Sequence, residues 1–147
     1  MKIVLAEVIS CKPEKVFPWI AEPEKAMKWQ KNVKGGEIIV NRPEKVGTTF
    51  KEVIEEDGKS LEMVGTITKY INNKIIGFHL ESKIHVFDVS YSVEEINKGT
   101  KVSMEALIHW KFPMNVMSVF IGNKMRDGIL QQLHSEFLEL KRLCEGE

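Results

Sequence analysis

"CKPEKVFPWIAEPEKAMKWQ", residues 11–30, contains two short helical patterns that both begin with a proline. Pro13 and Pro23 suit the first position of a helix, where the missing N–H costs nothing. Glu14 and Glu24 follow them and favour the positive N-terminal end. Pro18 should kink or shorten the first helix. Neither helix is long enough to stand alone, so both must pack on a larger structure.

From Val46 onward the sequence alternates between apolar and polar residues, as antiparallel strands do. Asp-Gly is a strong two-residue hairpin turn because both central positions need a positive φ. A Lys-Gly turn also allows three residues with a bulge, which shifts the register by one. Four turn signals divide this region: Asp57-Gly58, Asn72-Asn73, Ser82-Lys83 and Lys98-Gly99.

The register tests this interpretation, since opposed residues must share one face of the sheet. Two-residue turns place apolar residues on one face of all four hairpins and leave Lys51, His79 and Ser90 on the polar face. The predicted pairs are Phe50–Gly65, Glu52–Met63, Ile54–Leu61, Ile67–Phe78, Gly65–Leu80, Phe78–Phe87, Ile76–Val89, Phe87–Trp110, Val89–Ile108, Tyr91–Ala106 and Val93–Met104. Strands near residues 2–10 and 37–40 bring the predicted sheet to seven, with no register assigned to them.

The C-terminal segment carries two apolar stripes. The first contains Met117, Phe120 and Ile121, and the second runs from Met125 to Cys144. At about 100° per residue the stripes fall on nearly opposite sides of a continuous helix, so one straight helix cannot bury both on one sheet. We therefore predict a break near Gly122-Asn123, with Asn123 capping a long helix to about residue 144. Residues 114–121 would form a separate short piece.

Length, charge and cysteine content limit the class of protein. A chain of 147 residues suits one domain, 1–147, that buries roughly two-thirds of its unfolded surface. Lys plus Arg and Asp plus Glu number 21 each, without the basic excess that nucleic-acid binding requires. Glu7 interrupts the first apolar run too early for a signal peptide or membrane span. Cys11 and Cys144 fit no metal motif and are expected to be buried thiols in a reducing cytoplasm.

The predicted order is one strand, two short helices, six strands and a long helix. It resembles the Bet v 1-like, START-related helix-grip superfamily, also called polyketide cyclase/dehydrase-like. "PEKVFPWIAEPEKAMKW" is similar to the family's Pro-x-x-Val-Phe pattern with a later Pro and Trp, although Glu22 stands where Asp is usual and Pro18 is atypical. "KVGTTF" and "EEINKGTKVSMEA" resemble its strand-start and Gly-Thr turn segments. The resemblance implies an α+β helix-grip fold in which a seven-stranded antiparallel sheet wraps the long helix and the short helices help to close a cavity.

Two residues are candidates for chemistry. Glu52 lies on the apolar face between Phe50 and Ile54, where burial without a partner would raise its pKa and suit it to acid or base work. The structural alternative is a rim position or an ion pair with Lys124. Tyr91 points inward and either offers its hydroxyl to a ligand or satisfies it on a backbone carbonyl.

We expect neither a metal site nor a cofactor. His85 is placed at the rim, and no two histidines share a same-face spacing suited to a metal. The sequence holds no nucleophile elbow, P-loop or dinucleotide fingerprint.

The leading hypothesis is that an apolar or amphipathic small molecule binds between the sheet and the long helix. Met117, Phe120 and Ile121 would form its gate. The alternatives are a cyclase or dehydratase that uses Glu52 or Tyr91, and a protein-interaction module, such as a chaperone activator, whose cavity is filled. The predicted ligand-binding residues are Phe50, Glu52, Met63, Ile67, Phe78, Leu80, Phe87, Val89, Tyr91, Met104, Ile108, Trp110, Met117, Phe120 and Ile121.

Overall fold

The computed structural model describes residues 1–56 and 58–146, with Glu56 described by its backbone only. Within those residues the chain forms one seven-stranded antiparallel sheet and three helices, which confirms the α+β prediction. The strand order across the sheet is β1-β7-β6-β5-β4-β3-β2. The elements are β1 Lys2–Ile9, α1 Pro13–Ala21, α2 Pro23–Ala26, β2 Val33–Val40, β3 Thr49–Glu56, β4 Lys59–Ile71, β5 Ile75–Glu81, β6 His85–Ile96, β7 Gly99–Trp110 and α3 Met114–Glu145.

The first two hairpins have the predicted registers. Phe50 pairs with Gly65 and Glu52 with Met63 across β3 and β4, while Asp57 of the connecting turn lies outside the described residues. Ile67 pairs with Phe78 across the second hairpin. The turn there has three residues rather than two, with Asn73 at a φ of 60°. A bulge between Ile67 and Lys69 takes up the extra residue and preserves the predicted pairs.

The predicted registers of the other two hairpins are wrong by two residues. Phe78 pairs with Val89 instead of Phe87, because β6 begins only at His85 after a longer loop that the Ser82 hydroxyl stabilises. Tyr91 pairs with Met104 instead of Ala106, since the turn closes at Ile96 and Gly99. The error carries through every pair predicted for these hairpins. A shift of two residues keeps each side chain on its face, so the assignment of apolar residues to one face survives.

The two short helices begin at Pro13 and Pro23, as predicted. The α1 helix buries Val16, Phe17 and Ile20 against the sheet and α3. Since Pro23 has no N–H, the Trp19 carbonyl cannot receive the usual helical hydrogen bond four residues on. The Trp29 indole N–H donates to that carbonyl at 2.8 Å. The second tryptophan of this region therefore completes the end of the first helix.

The long helix bends close to the predicted position. It is continuous from Met114 to Glu145, but Ile121 has non-helical angles, φ −121° and ψ 15°. Asn123 lies within the helix instead of capping a new one, so that part of the prediction is wrong. The second half of α3 buries Phe137, Leu140 and Cys144, while the first half leaves its apolar stripe exposed. The two opposed stripes are thus accommodated by burying one and exposing the other.

Candidate functional site

The sheet face that packs against α1 and the second half of α3 is called the inner face here. Its aromatic side chains touch edge to face in a row that starts at β3. The Phe50 and Phe78 rings lie 5.8 Å apart, and those of Phe78 and Tyr91 lie 6.4 Å apart. Tyr91 then meets Trp29 at 6.2 Å and Phe137 of α3 at 6.4 Å. The row joins the partly exposed sheet near β3 to the buried core below α3.

The predicted ligand-binding residues divide into three groups by exposure. A buried group already packs in the core: Met63, Leu80, Val89, Tyr91 and Met104. A partly exposed group lines the inner face: Phe50, Glu52, Ile67, Phe78, Phe87, Ile108 and Trp110. The proposed gate, Met117, Phe120 and Ile121, lies exposed on the first half of α3. The structure therefore brings the first two groups together on one surface and leaves the third in solvent.

Glu52 lies where the alternation predicts, on the inner face between Phe50 and Ile54. It is partly buried, and burial raises the pKa of its carboxyl above the ordinary value of 4.5. Among the described residues, none forms an ion pair or hydrogen bond with this carboxylate. The alternative of an ion pair with Lys124 is therefore wrong. The cross-strand neighbour in β2 is Gly36, which adds no side chain beside it. Glu52 is thus a partly buried carboxyl whose pKa is raised and which has no partner among the described residues.

Glu136 is a second interior carboxylate, and the sequence interpretation missed it. It is only 5% exposed and accepts hydrogen bonds from the Lys31 backbone N–H at 3.0 Å and Gln132 Nε2 at 3.3 Å. Burial raises its pKa, and these hydrogen bonds oppose the rise. The helical spacing does predict its position. Glu136 follows Leu133 by three residues and precedes Leu140 by four, so it lies on the apolar stripe of the helix.

The charges of both carboxylates, Glu52 and Glu136, act on Tyr91. Burial raises the pKa of its phenol, and the negative charges of Glu136 and Glu52 raise it further. The residue is 8% exposed, and no described residue forms a hydrogen bond with its hydroxyl. At neutral pH the phenol is protonated, so its O–H is a donor that no described residue uses.

His85 and Trp110 form the other polar part of the inner face, and they pair across β6 and β7. Their rings lie 5.1 Å apart, and the buried Trp110 indole N–H has no hydrogen-bond partner. The Ser82 hydroxyl accepts from the backbone N–H groups of Ile84 and His85, which frees its proton for His85 Nδ1 at 2.6 Å. Burial lowers the pKa of His85, in keeping with a neutral ring.

Metal ligands, membrane spans and thiols complete the description of the candidate chemistry. Within residues 1–56 and 58–146, no three His, Cys, Asp or Glu residues cluster as metal ligands would. No helix in the same residues is long and apolar enough to cross a membrane. Cys11 and Cys144 form no disulfide bond; Cys144 is buried, Cys11 is partly exposed, and the Cys11 Sγ donates to the Cys144 carbonyl oxygen at 3.2 Å.

A seven-stranded antiparallel sheet that holds a long C-terminal helix, with two short helices after the first strand, defines the helix-grip class. The family described as polyketide cyclase / dehydrase and lipid transport matches residues 1–143, and this chain belongs to it. No curated protein matches the sequence.

Solved structures share the fold at low sequence identity. TTHA0849 from Thermus thermophilus has a TM-score of 0.82 at 14% identity, covering 99% of this chain and 98% of that one. NE0264 from Nitrosomonas europaea has a TM-score of 0.76 at 13% identity, over 99% and 95%. The Bet v 1-type allergen Ara h 8.0201 has a TM-score of 0.75 at 14% identity, over 100% and 99%. At these identities the likeness shows the fold alone.

Proposed function

We propose that the chain acts as a single helix-grip domain, 1–147, that binds an apolar or amphipathic small molecule on its inner face. The observation that carries the proposal is the row of partly exposed aromatic and aliphatic side chains beside unpartnered polar groups. Small-molecule sites combine mostly apolar walls with a few polar groups that fix orientation. Phe50, Phe78, Phe87 and Ile108 would supply the walls.

The polar groups suggest which end of the ligand points inward. Glu52 and Glu136 carry acceptor oxygens, and the Tyr91 hydroxyl can donate or accept. Glu136 already accepts two hydrogen bonds, so Glu52 and Tyr91 remain for a ligand. A hydroxyl at the buried end can donate to the Glu52 carboxylate and accept from the Tyr91 O–H, and an amine can donate to both oxygens. An anionic end would meet two carboxylates and is disfavoured.

The binding proposal is tested with a neutral fluorescent probe, N-phenyl-1-naphthylamine, whose emission rises in apolar surroundings. Ile108 and Leu107 are adjacent on β7 and point to opposite faces, which gives a matched pair of variants. Ile108→Lys should abolish probe binding by placing a charge on the inner face, whereas Leu107→Lys should bind as the wild type does. Circular dichroism establishes that both variants fold. Equal probe binding by Ile108→Lys and the wild type would contradict the proposal.

Native mass spectrometry of the gently purified protein then looks for a retained compound. A bound molecule with apolar character and a hydroxyl or amine end is the expected finding. Release of an anionic amphiphile in stoichiometric amount would contradict the assigned orientation while leaving the apolar site intact.

A second candidate function is acid–base turnover by Glu52 with Tyr91, of the cyclase or dehydratase kind. The raised pKa of Glu52 favours it, because a carboxyl that keeps its proton nearer neutrality can act as an acid. The compound released from the protein is incubated with the wild type and with Glu52→Gln. Turnover predicts a change in the compound's mass or structure with the wild type that Glu52→Gln abolishes while binding persists. If the compound is unchanged, turnover is contradicted and binding remains the only proposed function.

A further inference from the structure

The first half of α3 presents an apolar surface to solvent. Val119 is 80% exposed and Phe120 is 82% exposed, and Phe112, just before the helix, is 79% exposed. Val116, Val119 and Phe120 are spaced at i, i+3 and i+4, so they share one face of the helix. Ser118 and Gly122, on another side of the helix, are only partly exposed. This part of α3 therefore leaves several large apolar side chains in solvent.

The exposed stripe is defined as Phe112, Val116, Met117, Val119, Phe120 and Ile121, each at least 45% exposed. Contiguous apolar surfaces of this kind generally mark a binding surface, whereas single exposed apolar residues need no explanation. The stripe continues at its start toward the loop before β6. The Lys111 N–H donates to the Ile84 carbonyl at 2.7 Å, which places the exposed Ile84 and its neighbour Lys83 beside the stripe.

The charges around the stripe indicate what covers it. From Ala106 to Arg126 the sequence contains no Asp or Glu, although Asp127 follows directly. Of its three basic residues, Lys111 forms an ion pair with Glu81 at 3.5 Å and Arg126 donates to the Lys2 carbonyl, while Lys124 is exposed. The chain as a whole has equal numbers of acidic and basic residues, so this segment is locally basic. Apolar side chains flanked by basic ones are typical of helices that lie in a membrane interface, where the cations meet anionic headgroups.

We propose that the first half of α3 docks on an anionic lipid surface, with Phe112, Val119 and Phe120 inserted among the lipids and Lys124 at the headgroups. The helix lies along the membrane surface without crossing it. The bend at Ile121 separates this docking turn from the second half of α3, which stays packed on the sheet. The proposal does not depend on whether a ligand occupies the inner face.

The test uses co-sedimentation of the full chain with phosphatidylcholine vesicles, with and without phosphatidylglycerol. The wild type should bind the vesicles that contain phosphatidylglycerol. The double variant Val116→Asp, Val119→Asp should reduce that binding about tenfold or more, because it places two anions on the helix face that meets the lipids. Lys124→Glu should weaken binding to anionic vesicles and reduce the effect of added phosphatidylglycerol.

The matched control places the same two charges on exposed apolar residues elsewhere. Val64 and Ile71 of β4 are 46% and 56% exposed, and Val64→Asp, Ile71→Asp should bind vesicles as the wild type does. Thermal melts establish that the variants are folded. The proposal is overturned if the wild type leaves both kinds of vesicle in the supernatant, or if the control loses as much binding as the test variant. It is also overturned if light scattering shows a wild-type dimer that Val116→Asp, Val119→Asp converts to a monomer, since the stripe would then serve a second copy of the chain.

Discussion

The Trp29 indole shows how one side chain completes a helix that the backbone cannot finish. Because Pro23 has no N–H, the Trp19 carbonyl depends on the indole N–H of Trp29, which is itself 2% exposed. Trp29→Phe removes that donor and part of a buried ring. We expect the free energy of unfolding to fall by about 2–4 kcal/mol in urea denaturation.

The matched control is Trp110→Phe. Its buried indole N–H has no partner, so the substitution removes an unsatisfied donor as well as some packing. The two effects oppose each other, and the stability should change by no more than about 1 kcal/mol. If Trp110→Phe destabilises the protein as much as Trp29→Phe does, the hydrogen bond is not what distinguishes the two tryptophans.

For a single strand residue, the sequence predicts the face of the sheet on which its side chain lies but not the residues that the side chain contacts. Alternation placed Glu52 and Tyr91 on the inner face, and the structure has them there. Their lack of partners depends on residues distant in sequence, which parity does not reveal. Glu136 was not predicted, because the helical stripe is recognised by its apolar residues and Glu136 is an acid at one of its positions.

Between elements, Gly65 and Phe50 show how β3 and β4 fit together. They are cross-strand partners, and a Cβ at Gly65 would lie 2.3 Å from the Phe50 Cζ. The ring thus covers the glycine, as aromatic residues beside glycines in sheets do. Gly65→Ala must displace the Phe50 ring. We expect a loss of about 1–3 kcal/mol in the free energy of unfolding, measured by urea denaturation.

Gly35→Ala in the neighbouring β2 is the control, since no atom lies within 4 Å of its added Cβ. There the reduced freedom of the unfolded chain should leave stability unchanged or raise it by up to about 1 kcal/mol. A similar loss in both variants would mean that glycine is needed in these strands for the backbone and not for the Phe50 ring.

Elements were more predictable than the distances between them. The strands, the proline-started helices and the bend in α3 all follow from patterns within about ten residues. The registers of the last two hairpins do not follow from such patterns. The loop at Ser82 is longer than the predicted two-residue turn, and the β6–β7 turn closes at Ile96 and Gly99, one residue earlier than predicted. The pairing of β1 with β7 joins residues about a hundred positions apart, and no local pattern specified it.

For the whole molecule, the two interior carboxylates link stability to pH. Burial raises the pKa of Glu52 and of Glu136 above 4.5, the ordinary value expected in the unfolded chain. Between the unfolded and folded pKa values the folded state therefore holds more protons. Their stabilising contribution is fully present below the unfolded value and is lost as the pH rises through the folded value. Above it, both states are ionised and the loss is constant.

The double variant Glu52→Gln, Glu136→Gln removes both titrations and keeps an acceptor oxygen for the Lys31 N–H. Its free energy of unfolding relative to the wild type should rise as the pH increases above 4.5, and then level off once both carboxyls are ionised in the folded state. Urea denaturation across that range measures the difference. Glu139→Gln serves as the control: the Arg142 hydrogen bond lowers the pKa of Glu139, so its contribution is lost only as the pH falls through values below 4.5. A flat difference for the double variant above pH 4.5 would show that water reaches both carboxylates freely, and the inner face would then lack the low-dielectric character that binding of an apolar ligand requires.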